Sequence, residues 1–176
     1  MIDLEGLPLP AEAPAAGSCV RIERPEAGLA LLFLDPPHRK MAVFDVPLLR
    51  DLDAALEELA KDASLRGLVI TGKEPLSFAA GADVETIAKV SDPGLATKFA
   101  RSGQGLFQRI HKLSRSGGGR VFVVAAVGGP VPGGACEIAL ACDRILLADH
   151  PKSRIGLPEV LLGIIPAWGG SQRLPR

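Results

Sequence analysis

The sequence predicts an α/β domain, and three observations carry that prediction. Short, β-branched apolar runs alternate with longer stretches at helical spacing. Their order is strand, strand, helix, strand, helix, strand, helix, an alternation that layers helices on a sheet of mostly buried strands. A length of 176 residues suits one compact domain with a single core.

Each element has a local cause. Met1 to Ser18 is rich in Pro and Ala and lacks an apolar period, which predicts a loose leader ahead of a domain over residues 19–176. Cys19 to Arg24 and Gly28 to Asp35 read as two strands, the second a continuous apolar run stopped by Pro36 and Pro37. A helix follows, with Asp45 as N-cap, Pro47 in its first turn, and Leu48, Leu52, Leu56 and Leu59 on one face. Gly67 to Thr71 is a buried strand bounded by Gly72. Leu95, Phe99, Leu106, Ile110 and Leu113 mark a second helix. Ser114 to Gly119 is a flexible turn, and Val121 to Val127 another buried strand, running into a glycine-opened helix at Gly133 and Gly134.

Composition removes several function classes. Lys plus Arg and Asp plus Glu both number 20, so no net positive field gathers nucleic acid or an anionic membrane. The longest apolar run is far too short to span a bilayer, and the N-terminus lacks the pattern of a secretory signal. Cys19, Cys136 and Cys142 form no CxxC and leave an odd thiol if paired. They read as small thiols in a reducing cytoplasm, with Cys136 and Cys142 on different sides of one helix. His38, His111 and His150 show no metal-ligand spacing and read as surface residues. No GxGxxG follows a strand, and no GxSxG is present, which disfavours a dinucleotide site and a serine hydrolase.

Three segments can carry chemistry. Ser77 to Val84 (SFAAGADV) is a run of small residues after a strand, either a tight connection or a turn whose amides face a developing oxyanion. Gly128 to Asp143 (GGPVPGGACEIALACD) leads a strand into a helix N-terminus rich in unpaired N–H groups. Glu137 lies one turn in, and either steadies that turn or works as an acid among apolar neighbours. In the third segment Glu159 is the only charged residue between Arg154 and Arg173. It is either a strand-end charge reaching solvent or an active-site acid with a raised pKa.

Together FAAGADV, VAAVGGPVPGGACEIALACD and IGLPEVLLGIIPAWGGSQRLPR resemble the crotonase (enoyl-CoA hydratase/isomerase) family, in order and spacing over about Cys19 to Arg176. The last string is similar above all to the hydratase portion of multifunctional fatty-acid oxidation alpha subunits. The resemblance implies a crotonase-like spiral of ββα turns, here stopping before a C-terminal helical portion. It places the oxyanion amides on Ala80 and Gly134, and the two hydratase carboxylates on Glu137 (base toward water) and Glu159 (proton donor). It places part of the coenzyme A site at Arg39, Lys40, Ala82 and Asp83, although the run His38-Arg39-Lys40 also reads as a solvated charge cluster. Ala42 stands where the family often has Asn, which weakens the expected ribose or adenine contact, and Ala135 where a third Gly is usual, which tightens the helix start. Ala167 and Trp168 stand where Gly and a small residue are common, which predicts a narrower pocket near the attacking water.

What the resemblance implies for function is hydration of a 2-enoyl-CoA in fatty-acid β-oxidation. It implies no metal or cofactor beyond the coenzyme A thioester substrate, with NAD involved only if a dehydrogenase domain follows in the chain. It further implies a cytoplasmic homo-oligomer, such as a trimer, or a multienzyme complex with a thiolase. Alternatives are a Δ3-Δ2-enoyl-CoA isomerase or another acyl-CoA enzyme on the same fold, and a non-catalytic acyl-CoA-binding or assembly module.

Overall fold

In the computed structural model, which describes residues 1–175, β1 (Val20–Glu26) and β2 (Leu29–Leu34) form an antiparallel hairpin. β3 (Gly67–Gly72) and β4 (Phe122–Val127) add to β2 in parallel, and β6 (Arg144–Leu147) pairs in parallel with β4. The order of this sheet is β1-β2-β3-β4-β6. β5 (Pro130–Pro132) and β7 (Arg154–Gly156) make a separate parallel pair. The mostly parallel sheet with its crossover helices is the predicted α/β class.

One correction concerns the strands. They are fully buried on one face only: Ala30, Leu32, Leu34, Leu68, Ile70, Val123 and Ala125 are inaccessible, while their neighbours Leu31, Phe33, Val69 and Val124 are half-buried. Strand side chains alternate between faces, so an apolar run does not by itself place both faces inside.

α1 (Val46–Lys61) begins where predicted, with the Asp45 carboxylate accepting from the Leu48 N–H at 3.1 Å and Pro47 in the first turn. α3 (Pro93–Leu113) packs on α1 and carries Phe99, Leu106, Phe107 and Ile110 into the shared core. α2 (Val84–Lys89) is a short helix just before it, and α4 (Gly134–Leu140) and α5 (Gly170–Arg173) are also short. α4 stops at Leu140, so Cys142 lies beyond the helix on which it was expected.

The turn after α3 is ordered by a buried acid. Residues Arg115–Gly117 form a 3-10 turn whose Arg115 and Ser116 N–H groups donate to Asp143, which also accepts from Val123 N–H at 2.8 Å. The leader contains no helix or strand, yet it is tied to the domain. Ile2 N–H donates to Asp53, Lys98 and Ser102 donate to the Glu5 and Asp3 carbonyls, and Leu7 is buried.

Candidate active site

Gly81 opens the site because only glycine fits there. Its φ is +90°, and a Cβ on it would lie 2.8 Å from the Pro132 carbonyl oxygen. This lets the loop Ala80–Asp83 run against the start of α4. The opposite side of the loop is pinned by Ala80 N–H to Ala42 O (2.8 Å), Phe44 N–H to Gly81 O (2.9 Å) and Asp83 N–H to Phe44 O (3.4 Å).

That pinning corrects one assignment. The Ala80 amide is already bonded to Ala42, and the residue is exposed. The amide placed for an incoming oxygen is that of Ala82. Its nitrogen lies 3.3 Å from where a Cβ on Gly134 would stand, and Ala82 and Gly134 line the same cavity. Neither of these two N–H groups donates to another group among the described residues. Two amides side by side at a helix start are suited to hold a negatively charged oxygen. Sequence spacing could not distinguish Ala80 from Ala82, because which amide is left unpaired depends on the contact with residues 42–44.

Glu137, on α4, is 2% exposed. Its Oε1 accepts from the Trp168 and Gly170 main-chain N–H groups, both at 2.8 Å, which ties α4 to the chain leading into α5. Oε2 accepts no bond among the described residues. Burial raises the Glu137 pKa above the ordinary carboxylate value; the two N–H donors act against this, and the nearby Glu159 charge adds to it.

Glu159 opens a 3-10 turn, Glu159–Leu162, after β7 and is 8% exposed. Its Oε2 is buried with no hydrogen-bond partner, and its Oε1 lies 3.2 Å from where a Cβ on Gly133 would be. A buried, under-bonded carboxyl oxygen costs free energy to maintain. Both acids line one cavity of about 480 Å³, together with Ala82, Gly134 and Trp168. The remainder of its wall is apolar, from Ile87 and Val90 near α2 through Phe99 on α3 to Ile164 and Ile165. Trp168 forms part of this wall.

The other expected contacts lie elsewhere. Arg39 and Lys40 line a separate surface groove of about 460 Å³ with His38 and Lys73. Arg39 sits 3.6 Å from Asp45 and 3.7 Å from Asp83, and Lys40 is exposed. Asp83 is a cap: its carboxylate accepts from Glu85 N–H at 3.3 Å and Thr86 Oγ1 at 2.7 Å at the start of α2. His38 is a second correction to the surface reading, since its side chain is 8% exposed and its Nε2 lies 2.7 Å from Asp45 Oδ2. A charge pattern along the chain gave no sign of this pairing, because it joins a loop to a helix cap.

Comparison with known proteins bears on the geometry. The fatty acid oxidation complex subunit alpha of Aliivibrio fischeri is 41% identical over 149 residues, covering 84% of this chain and 21% of that protein. The corresponding subunit of Shewanella oneidensis is 35% identical over 160 residues, covering 91% and 22%. The chain thus spans about a fifth of the length of these curated relatives. Among solved structures, an enoyl-CoA hydratase from Bacillus anthracis superposes with a TM-score of 0.78 at 27% identity, covering 90% of this chain and 57% of that one. Human mitochondrial delta3-delta2-enoyl-CoA isomerase superposes with a TM-score of 0.76 at 32% identity, covering 89% and 57%. The family model for enoyl-CoA hydratase/isomerase matches residues 24–176, and the chain belongs to that family, the crotonases.

Proposed function

We propose that this chain is a 2-enoyl-CoA hydratase, adding water across the double bond of a trans-2-enoyl-CoA to give a 3-hydroxyacyl-CoA in fatty-acid oxidation. The observation that carries the reading is the presence of two buried carboxylates, Glu137 and Glu159, in one apolar cavity beside the unpaired amides of Ala82 and Gly134. An acid whose proton affinity is raised by burial is a better base near neutral pH. Glu137 Oε2 takes a proton from water, and the remaining hydroxide adds to C3. The C2 carbon takes its proton from the Glu159 carboxyl, and the negative charge arising on the thioester oxygen is held by the two amides. Proton return between the two acids then resets the site.

An apolar wall suits the acyl group of such a thioester. Arg39, Lys40 and Lys73 line a groove with one acid, Glu74, and give it the net positive charge to meet coenzyme A phosphates. The names of the curated relatives support a multienzyme complex, for which a thiolase partner and a cytoplasmic location are part of this proposal, as is a homo-oligomer. Val160, Leu161 and Ile165 are exposed at 79%, 82% and 78%, an apolar strip suited to such assembly.

Glu137→Gln tests the reading. It is expected to lower kcat for hydration of crotonyl-CoA by about 100-fold or more, the range for loss of a positioned acid–base group. Unchanged hydration would sink the proposal. A second reading, Δ3-Δ2 isomerisation, is favoured by the similarity to the human isomerase and by the under-bonded Glu159, since one carboxyl suffices to move a proton along the chain. A 3-enoyl-CoA assay on Glu137→Gln separates the two: isomerisation that survives while hydration is lost assigns it to Glu159.

A further inference from the structure

Trp168 stands at a boundary. Its indole is 3% exposed and packs edge-to-face on Phe44, Phe99 and Phe107, with ring centroids 6.0, 5.3 and 5.4 Å away. Two glycines make room for it. A Cβ on Gly103 of α3 would meet the ring at 2.2 Å, and a Cβ on Gly134 of α4 would lie 2.8 Å from Cε3 and Cζ3. That same point on Gly134 is 3.3 Å from the Ala82 nitrogen, so the six-membered ring edge lies against Gly134 close to the amide pair. On its far side lies a more polar groove of about 620 Å³, lined in part by Arg101, Gln104 and Gln108. Among the described residues, the two cavities share Ile165, Ala167 and Trp168 alone.

We infer that Trp168 is a specificity-determining residue that confines the acyl group beside the thioester carbonyl, admitting linear acyl thioesters and excluding those branched at C2. The inference rests on the acyl-CoA reading above. An oxygen that accepts from the Ala82 and Gly134 amides brings C1 and C2 next to the indole edge. That edge is braced on Gly103 and three aromatic rings, which resist its displacement. A well-packed interior resists even one added methylene, so a methyl at C2 must either displace the ring or leave the amides. A smaller side chain at 168 joins the reaction cavity to the groove behind it. The main-chain N–H that holds Glu137 is kept, because it belongs to the backbone.

The test compares crotonyl-CoA with its 2-methyl derivative, tiglyl-CoA. Trp168→Leu is expected to raise the ratio of kcat/KM for tiglyl-CoA to that for crotonyl-CoA at least tenfold, with a smaller rise for Trp168→Phe. A ratio that stays at the wild-type value overturns the inference. Trp168 is the only Trp in a chain without Tyr, so its emission reports ligand binding in the unsubstituted protein whether or not the variants fold. Titration with butyryl-CoA and isobutyryl-CoA is expected to show at least tenfold weaker binding of the branched thioester. Equal binding of the two overturns the inference and leaves the hydratase reading standing. Binding of neither thioester, together with no turnover of crotonyl-CoA, overturns both.

Discussion

Glu137 is an acid held in a place that disfavours its charge. Its folded pKa is raised by burial, and the Glu159 charge adds to the effect against two N–H donors. The charged form is therefore favoured more in the unfolded chain, near the ordinary value of 4.5, than in the fold. The sign follows: below the unfolded pKa the carboxyl is protonated in both states and costs nothing. As pH rises from there through the folded pKa, the unfolded state loses its proton first and the fold loses stability. Glu137→Gln keeps an oxygen for the Trp168 and Gly170 amides but cannot ionise. Its stability relative to wild type is expected to be greater at pH 8 than at pH 4, read from urea midpoints at both pH values. A difference independent of pH would show that the folded pKa is not raised.

The thiols follow the same physics. Burial, then the charges of Glu137 and Glu159, push Cys136 up to about 11, and burial together with the neighbouring Asp51 pushes Cys19 up to about 12. Thiolate is the reactive species, so both are expected to resist iodoacetamide in the native protein at pH 8 and to react once the chain is unfolded. Mass spectrometry of native alkylation checks this, and rapid labelling of Cys136 would contradict its buried, protonated state.

Elements meet here through missing side chains. α3 approaches the segment before α5 only because position 103 is Gly, and α4 approaches it only because position 134 is Gly. Gly103→Ala places a methyl within the indole's volume, and overpacking of this kind costs about 1–3 kcal/mol. A urea titration should show the lowered midpoint, with the slope unchanged. A neutral result would mean that Trp168 can swing away and would weaken its role as a wall. α1 was legible in the sequence because Asp45 and Pro47 act within one turn of their own positions. β5 and β7 were not: each is three residues long, β5 is bounded by Pro130 and Pro132, and their pairing joins segments more than twenty residues apart.

At the scale of the molecule, Asp143 joins the turn after α3 to the edge of β4. It is 9% exposed and accepts from the Arg115, Ser116 and Val123 N–H groups. Asp143→Ala removes the acceptor and leaves the buried Val123 donor unpaired, a loss of roughly 3 kcal/mol given the strength of bonds to charged groups. Equilibrium unfolding measures it, and a change below the error of the method would mean water replaces the carboxylate. By itself the sequence determined the layered α/β class and α1 with its Asp45 cap, and it singled out the two acids and the Gly134 amide as candidate groups. Those features are written in apolar period, cap chemistry and motif, which act along the chain. Only the tertiary structure decided that Ala82 rather than Ala80 offers the free amide, that Asp83 caps a helix, that His38 is paired to Asp45, and that Trp168 separates two cavities. Each of these depends on which group a distant segment leaves unpaired or uncovered, and contacts between distant segments leave no periodic mark in the chain.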